Sequence, residues 1–149
     1  MVAGGWPPVW WVGCHGGAGT STLARVCDVG VDVGMAWPLL EQGWPTADVV
    51  LVCRASARGL WSAVGALEQY KRRQAPVGVR LVGLVAVAAT PRRPPRIVTE
   101  RLQLTAGWTP ALWRVGWVEE YLAADDPRDL GVPPDVAALR HALGQALNI

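Results

Sequence analysis

Short runs of Val, Leu and Trp alternate along the chain with segments in which apolar residues recur every three or four positions. The runs predict buried strands at residues 9–13, 48–54, 79–88 and 111–118, with a further short strand near Val31. The helical spacing predicts helices from Thr20 and at residues 59–70, 97–106 and 134–147. Alternating strands and helices are typical of βαβ units, so the pattern predicts an α/β fold, a three-layer sandwich with a mostly parallel sheet.

The composition narrows the class of protein. The 149 residues are 51% hydrophobic and 17% charged, which predicts a single folded domain over residues 1–149. No apolar run approaches the roughly 18 residues of a membrane span, and residues 1–8 lack the basic start of a secretory signal. Three cysteines without C-x-x-C spacing argue against a disulfide framework and a zinc site. We therefore expect a cytoplasmic protein.

The segment GCHGGAGTST, residues 13–22, is the clearest candidate site. A glycine-rich turn between a buried strand and a helix offers free backbone N–H groups and the positive end of the helix to an anion. The turn also lies beyond the carboxyl end of a strand, where parallel sheets bind ligands. The residues expected to bind phosphate or a nucleotide are Gly16, Gly17, Ala18, Gly19, Thr20, Ser21 and Thr22.

The loop departs from the Walker pattern G-x-x-x-x-G-K-[ST]. Alignment on Gly19 and Ser21 places Cys14 at the first glycine and Thr20 at the lysine. That lysine neutralises the outer phosphates, and the hydroxyl that follows it holds magnesium. Because the lysine is replaced, we do not expect hydrolysis.

The run HGGAGTST nevertheless resembles the deviant Walker motif, KGGxGKTT, of the ParA/MinD family of P-loop ATPases. The resemblance implies a P-loop NTPase fold that takes ATP or ADP with magnesium, with Ser21 as the magnesium hydroxyl. It places Thr20 at the P-loop lysine and His15 at the signature lysine that reaches the nucleotide of the partner subunit. The alternative is that the degenerate loop binds no cofactor.

Three later segments also resemble that family: ADVVLVCRASARGLWSAVGALEQY, VRLVGLVAVAATP and WRVGWVEEYLA. The glycine loop, ARGL and WRVGWVE together resemble an uncharacterised actinobacterial family of shortened MinD-like proteins, often found near mobile elements. Residues 28–46 leave little room for the Walker B strand and the two switch regions. Asp32 is either a carboxylate that stands in for the magnesium ligand or a solvated loop residue, and no base specificity is inferred.

Arginine supplies nearly all of the positive charge, since Lys71 is the only lysine among 14 basic residues. Lys71 falls at the end of a predicted helix, on the side of the sheet away from the glycine loop. Arg54 and Arg58 follow the carboxyl end of a strand, and they are either a replacement phosphate cation or solvated loop residues. The segment TPRRPPR, residues 90–96, is either a basic contact surface or a stiff solvated loop.

Nine tryptophans are many for this length. Those in predicted strands are expected in the core: Trp10, Trp11, Trp113 and Trp117. Four others fall in predicted loops: Trp6, Trp37, Trp44 and Trp108. Because exposed aromatic area is common at interfaces, the loop tryptophans predict a protein partner or a homodimer.

These observations lead to three hypotheses of function. The first is a degenerate MinD/ParA-like P-loop protein that does not hydrolyse nucleotide and acts as a nucleotide-binding, anion-binding or protein-interaction module. The second is an active ATPase with Arg54 or Arg58 as its phosphate cation. The third is a DNA-associated accessory protein that contacts nucleic acid through Arg92, Arg93 and Arg96.

Overall fold

The computed structural model describes residues 7–41 and 45–149. Its strands are β1 (Trp10–Gly13), β2 (Val31–Asp32), β3 (Ala47–Ala55), β4 (Val79–Ala88) and β5 (Leu112–Val115). Its helices are α1 (Thr20–Cys27), α2 (Ala57–Lys71), α3 (Arg96–Ala106) and α4 (Pro134–Leu147), with short 3₁₀ helices at Glu119–Leu122 and Pro127–Leu130. The described strands form one sheet in the order β2-β1-β3-β4-β5, and every pairing is parallel. The predicted α/β fold with a parallel sheet is confirmed.

Helices cover both faces of the sheet. In β3 the side chains of Val50 and Val52 join a core with α1 and α4, whereas Leu51 and Cys53 join a second core with α2 and α3. A strand that is buried on both faces needs apolar residues at successive positions rather than at alternate ones. That requirement explains the continuous apolar run DVVLVCR and its correct prediction as a strand.

The strand order creates one crevice at the carboxyl edge of the sheet. From β1 the chain passes through α1 to β2 on one side, whereas β3 passes through α2 to β4 on the other. Neighbouring strands whose connections leave in opposite directions open a gap beyond their carboxyl ends, which is where open α/β sheets bind ligands. The glycine loop follows β1 and Arg54 lies near the end of β3, so both border this gap.

The last strand is shorter than predicted, and the start of α1 lacks a side-chain cap. The last strand ends at Val115 rather than at residue 118, because the Gly116 N–H donates to the Asp135 carboxylate (2.9 Å) and the chain then turns away from the sheet. No hydroxyl caps the start of α1. Its N-cap is Gly19 at φ 92°, where the left-handed backbone suits glycine.

The tryptophans divide between the core and the surface. Trp11 is fully buried and donates from Nε1 to the Val29 carbonyl at 2.7 Å. Trp37 is half-buried and its Nε1 donates to Gln69 at 2.9 Å, so the fold itself uses this ring. Trp117 lies past the end of β5 rather than in the core, and Trp108 is 47% exposed. Trp6 and Trp44 lie outside the described residues.

Candidate functional site

The glycine loop is a shallow cradle with an open upper surface. Gly17 (φ 76°) and Gly19 (φ 92°) adopt left-handed backbone conformations, and a Cβ added at Gly16 or Gly17 would meet no atom within 4 Å. The Ala18 side chain between them is only 2% exposed and packs into the core. The loop is therefore anchored from below, and its backbone is accessible to a ligand from above.

Arg54 lies across this loop. Its Nε donates to the Gly17 carbonyl at 2.9 Å, and its Nη1 donates to the Ala88 carbonyl at the end of β4 at 3.2 Å. The guanidinium also packs against Gly19, where an added Cβ would lie 3.4 Å from Cζ. From its position on β3, the Arg54 side chain thus contacts both the glycine loop and the end of β4, and these contacts fix its guanidinium.

His15 holds the backbone of the same arginine. Its Nε2 accepts from the Arg54 N–H at 3.0 Å, while its Nδ1 lies 2.9 Å from the Gly16 carbonyl. An Nε2 acceptor and an Nδ1 donor together require the neutral imidazole with its proton on Nδ1. His15, which the resemblance places at an intersubunit lysine, here ties the loop to β3 within one chain.

The charge of Arg54 has no acidic partner among the described residues, since its side chain donates to the carbonyl oxygens of Gly17 and Ala88 and forms no ion pair there. Burial lowers the pKa of this guanidinium, which still remains protonated because free arginine titrates far above neutral pH. Two of its five N–H groups are used. A half-buried cation with unused donors and no carboxylate is suited to an anionic ligand.

A pocket of about 240 Å³ opens beside Arg54, between α1, the ends of β4 and β5, and the segment that follows β5. Its walls are mainly apolar: Leu23, Val26, Val87, Val115, Trp117, Val118, Tyr121, Leu122 and Val136. Its polar rim comprises Gly19, Thr22 and Arg54. The Tyr121 hydroxyl is buried without a hydrogen-bond partner in the described part of the chain, and burial raises the pKa of that phenol.

The predicted site residues of the glycine loop take different positions. Gly19 and Thr22 reach the pocket together with Arg54. The Thr20 hydroxyl is turned back towards β1, where it would lie 2.7 Å from a Cβ at Gly13. Ser21 is exposed in the first turn of α1 and does not line the pocket.

The arginines predicted to contact an anion or nucleic acid also lie in different places. Arg58 is exposed at the start of α2 and does not line the pocket beside Arg54. Arg92 and Arg93 are both exposed, and only Arg92 of the two lines a second pocket. Arg96 pairs with Glu100 at 2.8 Å. Of the two proposed replacement cations, only Arg54 lies at the loop.

Sequence reasoning missed the walls contributed by Trp117 and Tyr121. Both belong to WRVGWVEEY, which the hydrophobic pattern assigned largely to a strand. The sequence did contain a signal for these walls. In a parallel sheet, the segment that follows β5 begins at the same edge as the glycine loop that follows β1.

The three cysteines offer no activated thiol. Burial raises the pKa of Cys14 to about 12 and that of Cys27 to about 11, and it raises the pKa of Cys53 as well. Such thiols are neutral at ordinary pH and are poor nucleophiles. The adjacent His15 ring is already engaged by Arg54 and Gly16, so Cys14 and His15 do not form a nucleophile and base pair.

A family model described as a family of unknown function (DUF6668) matches residues 7–137. The chain belongs to the DUF6668 family. The matched span contains the glycine loop, Arg54 and the start of α4, so every wall of the pocket lies within the DUF6668 region. No curated protein and no solved structure matches the chain.

In the part of the chain that the structure describes, no helix is both long enough and apolar enough to cross a membrane.

Proposed function

We propose that this DUF6668 chain is a degenerate P-loop protein of the ParA/MinD type that binds a nucleotide without hydrolysing it. The observation that carries the proposal is Arg54, a cation without an acidic partner that is fixed over a glycine loop at the carboxyl edge of a parallel sheet. In this arrangement the arginine of β3 replaces the missing loop lysine as the phosphate contact.

The shape of the site fits a phosphorylated ligand with a flat apolar part. The phosphates would lie over Gly16 and Gly17, where the loop is open, and would accept from the free N–H groups of Arg54. The base would enter the adjoining pocket against Trp117 and Tyr121, since aromatic rings stack on one another. Base identity is left open, because the ring contacts are apolar.

The residues present do not fit a protein-bound magnesium ion. Magnesium prefers several oxygen ligands, usually including a carboxylate. None of the residues that line the pocket is acidic, and Ser21 faces solvent outside it. Asp32 is exposed and its carboxylate accepts from the Gly34 N–H at 2.9 Å, as a solvated loop residue does. Binding is therefore proposed to be independent of magnesium.

The test is calorimetry with ATP, ADP and GTP, with and without magnesium. Arg54→Gln should weaken binding roughly tenfold or more, since a charge-assisted hydrogen bond contributes about 1.5–3 kcal/mol. Arg58→Gln removes the same charge four residues away and should leave the affinity unchanged. Equal affinities for the two variants would overturn the role of Arg54. Magnesium-dependent binding with measurable turnover would instead favour the ATPase hypothesis.

A further inference from the structure

A second pocket, of about 360 Å³, adjoins the first along the same edge of the sheet. The two share the lining residues Ala88, Val115 and Gly116, so they lie next to each other at the ends of β4 and β5. Arg54 contacts the Ala88 carbonyl from the side of the first pocket. The proposed nucleotide site occupies only the first of these adjoining pockets.

Two arginines from separate elements line the second pocket. Arg92 lies in the loop after β4, where its N–H donates to the Thr90 hydroxyl at 2.9 Å, and Arg114 belongs to β5. Neither guanidinium forms an ion pair within residues 7–41 and 45–149. In the parallel register Arg114 lies opposite Ala86, on the α2 and α3 face of the sheet, whereas the first pocket lies on the α1 and α4 face.

The pocket also contains one carboxylate, Asp135, in the first turn of α4. Its Oδ2 accepts from the Gly116 N–H, so one lone pair of this acid is already used by the backbone. Two guanidinium groups against one carboxylate leave the lining positively charged. Fork-shaped guanidinium groups bind phosphoryl oxygens bidentately, and Thr90 adds a hydroxyl to the same wall.

We infer that the second pocket is a phosphoryl site formed by Arg92 and Arg114, and that one compact ligand with two separated phosphoryl groups binds to both pockets. One group binds at Arg54 and the glycine loop. The other binds across the shared Ala88, Val115 and Gly116 wall. The inference rests on the proposed function, because it takes the site at Arg54 as the first of the two.

The experiment compares adenosine 3′,5′-bisphosphate with AMP, which lacks the second phosphoryl group. Binding is followed by calorimetry and by amide chemical shifts of the ¹⁵N-labelled protein. We expect the bisphosphate to bind roughly tenfold tighter than AMP, since the extra charge-assisted bonds contribute at least that factor. Both ligands should shift Gly17, whereas only the bisphosphate should shift Thr90 and Arg92, which line the second pocket alone.

Variants separate the two sites. The double variant Arg92→Ala, Arg114→Ala should reduce the affinity for the bisphosphate to that for AMP and leave AMP binding intact. Arg93→Ala, which removes an exposed arginine outside the pocket lining, is the matched control and should change neither. Asp135→Asn should tighten bisphosphate binding severalfold, because it removes the one negative charge in the lining while an amide oxygen can still accept from Gly116.

The outcomes distinguish this inference from the proposed function. If AMP binds in an Arg54-dependent way but the bisphosphate gains nothing over it, the second phosphoryl site is wrong and the first one stands. Weaker bisphosphate binding by Asp135→Asn would also overturn the second site. If neither ligand shifts Gly17 and Arg54→Gln has no effect, the proposed function itself fails.

Discussion

Two glycines in α2 should respond to the same substitution in opposite ways. Gly59 is buried where α2 leaves β3, and a Cβ there would lie well inside 3.0 Å of the Arg54 carbonyl oxygen. Gly65, six residues further along the helix, is exposed, and a Cβ there would meet nothing within 4 Å. At Gly65, in the helix interior, alanine favours the helix by about 1 kcal/mol over glycine. Gly59 lies in the first turn, where its N–H donates to the Ser56 hydroxyl and the gain is smaller, so the main difference between the two sites is the available space.

The expected free energies follow from these surroundings. At Gly65 the gain is unopposed, and we expect alanine to stabilise the protein by about 0.5–1 kcal/mol. At Gly59 the obstructing atoms are the carbonyl of Arg54 and, at 3.0 Å, the Ser56 hydroxyl that caps the helix. Overpacking by one methyl group costs about 1–3 kcal/mol of stability. We expect a cost near the upper end of this range, because the nearest obstructing atoms belong to the backbone of Arg54, which cannot move aside easily. The net loss is about 2 kcal/mol, or roughly 4–8 °C in Tm.

Urea denaturation followed by circular dichroism measures both changes, with the m-value as a check that the two-state description holds. ATP binding provides a second measurement, because displacing the Arg54 carbonyl also displaces the side chain that lies over the glycine loop. We expect Gly59→Ala to weaken binding and Gly65→Ala to leave it unchanged. If Gly59→Ala is as stabilising as Gly65→Ala, the close approach of α2 to the end of β3 is wrong.

Three further changes test the site and its surroundings. His15→Ala should weaken ATP binding about tenfold by releasing the Arg54 N–H, whereas His141→Ala, an exposed histidine on α4, should not; equal losses would refute the positioning role. Thr20→Lys adds the cation that the loop lacks and should raise ATP affinity without turnover; an unchanged Kd would contradict a phosphate cradle. Because burial raises the pKa of Cys14 to about 12 and that of Cys27 to about 11, both thiols should resist iodoacetamide at pH 8 unless urea is present. Rapid labelling of the native protein at pH 8 would refute the burial of these thiols. Burial also predicts that the free energy of unfolding falls as the pH rises above about 8.5, because the thiols of the unfolded chain ionise first.

The fold was predictable wherever burial on both faces leaves a continuous apolar run. The strand at residues 79–88 and the helix at residues 134–147 were predicted to the residue, because local hydrophobicity and tertiary environment agree there. The late strand was predicted too long because the apolar run continues through Gly116 to Val118. Only the structure shows that the Gly116 N–H donates to the Asp135 carboxylate. A side chain from 19 residues away ends that strand, and no local rule contains this information.

The candidate site was predictable in part for the same reason. A glycine-rich turn between a strand and a helix is a local signal, and the structure places it at the carboxyl edge as expected. Topology also identified Arg54 and Arg58 as being near that edge, but not which of them turns towards the loop. That choice depends on carbonyl acceptors at Gly17 and Ala88, which lie 37 and 34 residues away from Arg54 in sequence.

In the proposed function an arginine on β3 replaces the loop lysine, and this proposed exchange has a chemical consequence. Lysine is a point charge on a flexible stem and can follow charge as it moves between phosphoryl oxygens, whereas Arg54 is held by two carbonyl oxygens and by packing on Gly19. Hydrolysis requires that the enzyme stabilise the developing charge of the transition state more strongly than the charge of the ground state. A cation fixed by its own protein contacts favours one position of an anion. The geometry is therefore better suited to retaining a phosphorylated ligand than to cleaving it, and the comparison of Arg54→Gln with Thr20→Lys separates the contribution of the fixed cation from that of the missing one.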